Sequence, residues 1–164
     1  MKKNSIFSAA KLLILILLMN SCSIFHYSSM NNTNNYAIRL KPGDDLKKSI
    51  IHFVKNKHIQ AGWMVTCVGS LTSYQIRPAN QSSTLKDSGH FEIVSLTGTL
   101  STNGSHLHIA VSDSTGKTIG GHLMDGCTIY TTAEIVIQSS SNLIFKREKD
   151  GTTPWEELQI EEKK

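Results

Sequence analysis

Cysteine is scarce in this chain, and what few there are do not cluster. The 164 residues contain 3 cysteines, Cys22, Cys67 and Cys127, with no CxxC pair and no zinc-finger spacing, so neither a disulfide-stapled scaffold nor a thiolate zinc site is encoded. Cys67 lies in the apolar run Trp63 to Val68 and is read as a buried free thiol, with a single Cys67–Cys127 bridge left open. Also missing are a nucleophile elbow, a phosphate-binding glycine loop, an ordered Ser-His-Asp set and any repeat period. A basic run is absent once the first residues are set aside. The formal net charge of +4 counts Lys2, Lys3 and Lys11; removing those three from 17 basic residues leaves 14 against 13 acidic ones. A sequence-independent grip on DNA phosphates needs a concentrated basic face, which this balance does not supply.

Long apolar runs are confined to the start. Lys2 and Lys3 precede an apolar stretch from Leu12 to Met19, then Asn20, Ser21 and Cys22. This is the layout of a signal peptide over residues 1–22, too short to stay as a bilayer-spanning helix. Ser21 before Cys22 fits the lipoprotein variant, in which Cys22 is acylated; plain secretion and an uncleaved anchor remain alternatives. Residues 23–35, rich in Ser and Asn, have little to bury and read as a polar linker between anchor and head.

A folded domain is expected over residues 36–161, followed by a charged tail at 162–164. Tyr36 to Leu40 alternates as a strand does, and Pro42-Gly43 turns it. Asp44 is placed to cap a helix with Leu46, Ile50, Phe53 and Val54 at helical spacing and Lys47, Lys48 and Lys55 outside. Ala61 to Val68 and Leu71 to Ala79 read as two strands joined at Gly69-Ser70, and Gln81 to Gly89 as a loop. His90 to Leu100 is a strand with Phe91 and Ile93 on one face and a bulge expected at Gly98. Thr128 to Gln138 is β-branched and dense, as a buried strand is. A last pair, Asn142 to Arg147 and Trp155 to Ile160, flanks Asp150-Gly151, with Trp155 read as a lid on the core. One helix beside seven or eight strands gives an α+β domain with a mainly antiparallel, twisted sheet.

The chemistry concentrates in Gly104 to Asp125. Alternation puts His106 and His108 on one face of a strand. Asp113-Ser114-Thr115-Gly116 turns the chain back. A three-residue loop sets His108 directly opposite His122, with His106 on the diagonal. A four-residue loop would set His122 opposite Leu107 and dissolve the cluster. If they converge, three imidazoles can hold a divalent transition metal, zinc above all, with a fourth position for water or a ligand. Otherwise they are ordinary surface histidines. Glu92 and Glu134 are carboxylates within apolar strands, expected to need a partner such as Arg77, Arg39 or a metal-bound histidine. Arg77 is also a candidate for an anionic ligand.

These segments together resemble a known family. GHFEIVSLTGTL, then HLHIAVSDSTGKTIGGHL and TTAEIVI, with YAIRLKPGDDL and TCVGSL before them, are similar to the PPC domain, named for plants and prokaryotes. The resemblance covers Tyr36 to about Ile160. It implies an α/β domain assembling as a homotrimer, with the HxH and GGH segments close together, which favours the three-residue loop. Plant members carry an AT-hook and act as DNA-binding regulators; this chain has no such segment, and it places His90 where their Gly-Arg-Phe-Glu-Ile segment has Arg.

Two classes of function follow. The first is an exported, membrane-tethered trimeric module that binds zinc through His106, His108 and His122 and takes a small ligand or protein partner. The second is an enzyme using zinc-bound water, with Glu92 or Glu134 as acid or base. Binding is favoured, because the sequence supplies ligands but no identifiable catalytic machinery. DNA binding, as in the plant members, ranks third, since an exported protein meets no chromosome.

Overall fold

Strand pairing accounts for most of the architecture. A computed structural model describes residues 32–164; the expected signal peptide, Cys22 and all but the end of the linker lie outside the described residues. The first strand, β1, spans Thr33–Leu40 and is followed by helix α1 (Leu46–Asn56), β2 (Gly62–Arg77), β3 (Leu85–Ser101), β4 (Gly104–Ser112), β5 (Thr118–Leu123), β6 (Thr128–Ser140), β7 (Leu143–Glu148) and β8 (Glu157–Glu162). Six of these form one antiparallel sheet in the order β1-β6-β2-β3-β4-β5, and β7 and β8 form a separate two-stranded sheet. The end of β2 also pairs with β5, through Ile76–Leu123 and Arg77–His122. That pairing closes β2, β3, β4 and β5 into a ring, so β5 has no free edge along those residues.

Alternation decides which side chains face the core. Leu107, Ile109 and Val111 on β4, Ile76 on β2, Leu123 on β5 and Ile129, Ile135 and Ile137 on β6 point inward and are all but fully buried. The helix adds Leu46, Ile50 and Val54, each at 0% relative exposure, and Phe53 packs edge-on against Tyr36 of β1. Each such side chain contributes about 1.5–3 kcal/mol of burial, which makes this the main source of stability. A smaller cluster of Ala61, Leu143 and Phe145, with Trp63 and Leu158 against it, seats the β7–β8 hairpin on the larger sheet.

Several boundaries differ from the sequence reading, each for a local reason. Residue Asp45, one past the expected Asp44, caps α1: its Oδ1 accepts from the Lys48 amide at 2.9 Å and its Oδ2 from the Gly126 amide at 2.7 Å. Asp44 instead accepts from the Lys41 amide in the preceding turn. The two strands expected around Gly69-Ser70 are one. Gly69 lets β6 approach so closely that a Cβ there would lie 2.1 Å from the Thr132 carbonyl oxygen, so it bends β2 rather than ending it. Strand β3 starts at Leu85, inside the expected loop, because Leu85 to Ser88 pair with Ile76 to Ser73. The bulge in β3 falls between Ile93 and Ser95, not at Gly98. Thr33 to Asn35 pair with β6, three residues ahead of the expected start, and Glu162, expected in the tail, closes β8. Cys67 and Cys127 are both buried free thiols, which removes the bridge.

Candidate functional site

The β4–β5 hairpin fixes the histidines. Its loop is Ser114, Thr115 and Gly116, closed by the Asp113 amide donating to the Lys117 carbonyl at 3.0 Å. Asp113 Oδ1 accepts from the amides of Thr115 and Lys117 and from the Thr115 hydroxyl. Those bonds hold the carboxyl below its usual range and favour the short loop over a longer one. Counting outward, Ser112 meets Thr118 and His108 meets His122. All three histidines project from the face opposite the core.

They converge. The ring centroids of His106 and His108 lie 4.8 Å apart, His106 and His122 5.1 Å, and His108 and His122 5.7 Å. One nitrogen from each can be chosen so that all three lie within 4.8 Å of one another, and the Nε2 atoms of His106 and His108 share a hydrogen bond at 3.1 Å. Tetrahedral ligation at about 2.0–2.1 Å separates ligand nitrogens by roughly 3.3–3.4 Å, so a set within 4.8 Å would have to draw in by up to about 1.4 Å to ligate. The His122 Nδ1 atom is buried with no hydrogen-bond partner. An unpaired buried nitrogen beside two other imidazoles fits a cation-binding role better than a purely structural one.

Electrostatics prepares the same state. Burial first, then the His106 and Arg77 charges, push the His122 imidazole down to about 4. His106 is lowered as well, by burial first and by Arg147 next. Both are therefore neutral at pH 7, the form a metal requires.

The other candidates separate. Arg77 sits beside the cluster, directly across from His122. Glu92 and Glu134 are exposed rather than buried, so neither needs the partner the sequence reading assigned it. Glu92 pairs with Ser112, four residues along β4 from His108, or roughly 13 Å. Glu134 lies opposite Arg39 on β1 and Val68 on β2, and Arg39 donates to Thr132 instead. Trp155, expected as a lid on the core, is 64% exposed and covers the Arg77 guanidinium at 5.7 Å. Beside the histidines lies an open cleft of about 590 Å³ bordered by Arg77, Arg147, Trp155 and Glu157 as well as His106 and His122. Arg147, Trp155 and Glu157 come from the β7–β8 hairpin. Nothing in their local sequence marks them, because only the packing of that hairpin brings them to the histidines.

Both the motif order and this geometry have relatives. The chain belongs to the Plants and Prokaryotes Conserved (PCC) domain family, whose model matches residues 27–141. It is 45% identical over 126 residues, 77% of its length, to the bifunctional protein GlmU of Synechococcus sp. (strain JA-3-3Ab), and spans only 20% of that much longer relative. A hypothetical protein of Salmonella enterica superposes with a TM-score of 0.81 at 40% identity, over 84% of this chain and 99% of the other. A metal-containing protein of Archaeoglobus fulgidus superposes with a TM-score of 0.69 at 22% identity, over 82% of this chain and 99% of the other, a likeness of fold.

Proposed function

We propose that this protein is an exported, membrane-tethered binding module that holds zinc on His106, His108 and His122 and presents it to a ligand. The convergence of three imidazoles, with the His122 Nδ1 buried and unpartnered, carries this reading. An all-nitrogen set without thiolate or carboxylate suits zinc among the common divalent cations. The metal reported in the Archaeoglobus relative is in keeping with it. A bound cation would supply an electrophilic centre; the chain itself contributes the three imidazoles and, through burial, keeps those of His106 and His122 deprotonated. The leader and Cys22 support export and tethering.

Assembly as a homotrimer belongs to the same proposal. Val65, Val68 and Val94 are 53–57% exposed and Tyr130 41%, all on the neighbouring strands β2, β3 and β6. Such an apolar group is better covered by another copy than left in water. A catalytic reading has one observation in its favour, Glu157 at the cleft, but Glu92 and Glu134 stand away from it, and binding remains the preferred function. Binding to duplex DNA is disfavoured by the near-even charge balance beyond the leader.

The test is elemental analysis of wild type and His108→Ala, each loaded with zinc and desalted. Wild type should retain one zinc per chain and the variant none, with both at trimer mass by light scattering. Equal zinc in the two would refute the site, and a monomer at micromolar concentration would refute the assembly.

A further inference from the structure

Beyond the metal itself, the cleft has a charge pattern of its own. A row of direct cross-strand partners runs Arg77 on β2, His122 on β5, His108 on β4 and Thr97 on β3. Directly opposed residues project to the same face with Cβ atoms roughly 5 Å apart, so the Arg77 side chain starts beside His122. The other flank is built differently. Thr99 is the partner of His106, and the Arg147 Nη2 donates to the Thr99 hydroxyl at 2.5 Å, which anchors a second guanidinium beside the histidines.

We infer that this cleft binds a small oxyanion-bearing molecule, a phosphate or carboxylate compound whose charged group lies between Arg77, Arg147 and the histidine-held cation. Among the described residues neither arginine shares in an ion pair. Arg147 spends one donor on Thr99, and Arg77 makes one long bond, 3.5 Å, to the Gln81 carbonyl. A guanidinium has five N–H donors in a fork matched to oxyanions, so most remain available. Both arginines are half-buried, where a charge-assisted hydrogen bond is worth more than in open water. Lys149 adds a third cation; Glu156 and Glu157 oppose, and Glu157 is engaged by the Thr153 hydroxyl at 2.6 Å. Three cationic side chains against two carboxylates, with the metal's charge added, leave the cleft electropositive. Trp155, stacked over Arg77, offers a flat apolar wall to the rest of the molecule. At about 590 Å³ the space is of small-molecule size.

The inference rests on the metal reading, and calorimetry on the full chain separates the two. Zinc-loaded wild type is titrated with phenyl phosphate and, separately, with benzoate, and zinc content is measured on the same samples. Binding of either probe is expected, with Arg77→Gln and Arg147→Gln each weakening it at least tenfold while zinc stays at the wild-type level. Arg147→Lys, which keeps the charge but not the fork, should fall between. The probe that binds tells phosphate from carboxylate chemistry. Zinc retained with neither probe bound at about 10 mM, an affinity weaker than roughly 3 kcal/mol, overturns the inference and leaves the metal site standing. Arginine variants that bind like wild type also overturn it. Zinc lost from wild type refutes the metal reading, and the oxyanion inference with it.

Discussion

Gly98→Ala should unfold the site along with the strand that carries it. Gly98 of β3 faces Leu107 of β4, with φ at +140°, and a Cβ there would stand 1.9 Å from the His106 carbonyl oxygen and 2.9 Å from the Leu107 Cα. Both obstacles are backbone, so no side-chain rotation relieves them; β4 must move by more than an ångström. The backbone strain costs about 2 kcal/mol. Losing two ladder hydrogen bonds as β4 withdraws costs about 2 kcal/mol more, for a total of roughly 4 kcal/mol. With a urea slope of about 2 kcal/mol/M, the midpoint should drop by about 2 M. Gly116→Ala is the control: its φ is +82°, but nothing lies within 4 Å of the added methyl, so only strain of about 1 kcal/mol is expected. Because the peptide of His106 is what the methyl strikes, Gly98→Ala should also lose zinc where Gly116→Ala keeps it. Equal destabilisation of the two variants, or full zinc in Gly98→Ala, would refute the close-approach argument.

The metal-free protein should lose stability as pH falls from about 6.5 to about 4, because the unfolded His122 takes a proton that the folded one, held down to about 4, refuses. The loss, after allowance for its solvent contact, is about 1–2 kcal/mol by chemical denaturation across that range; His122→Gln should flatten it, and an unchanged slope in that variant would contradict the assignment. Asp45→Ala removes the cap of α1 and the tether to Gly126 together, so a cost of about 1–2 kcal/mol in urea denaturation is expected, while less than half of that would mean the cap is replaced by water. Cys67 and Cys127, whose thiols burial pushes up to about 12 and about 11, should react with a thiol reagent only in denaturant; rapid labelling of the native chain would show that the core opens.

Legibility in the sequence followed the range of the forces involved. The histidine hairpin could be read because alternation along β4 and the Asp113 turn act over a few residues, and the three-residue loop alone sets His108 against His122. The α1 stripe of Leu46, Ile50 and Val54 was legible for the same reason. Contacts set by another strand were not. Gly69 and Gly98 look like a turn and a bulge, yet each is a place where a neighbouring strand comes too close for a side chain. Glu92 and Glu134 sit among apolar residues in sequence but face water, because alternation exposes every second position whatever its neighbours are.

The cleft shows the limit most plainly, since its two sides are specified by different means. Arg77, His122 and His108 are joined by register, and register here is over-determined: β5 is held by β4 on one side and by the end of β2 on the other. A one-residue slip of β5 would break both pairings and turn Leu123 out of the core. Arg147 and Trp155 have no such constraint. They reach the histidines because Leu143, Phe145 and Leu158 pack beside Ala61 and Trp63 and because Arg147 meets Thr99, a handful of contacts on a two-stranded sheet. The Arg77 and histidine side of the cleft is thus set by the register of the main sheet, while the Arg147 and indole side is set by how the β7–β8 hairpin packs on that sheet, through the buried contacts of Leu143 and Phe145 and the Phe145 amide donating to the Gln60 carbonyl at 2.8 Å.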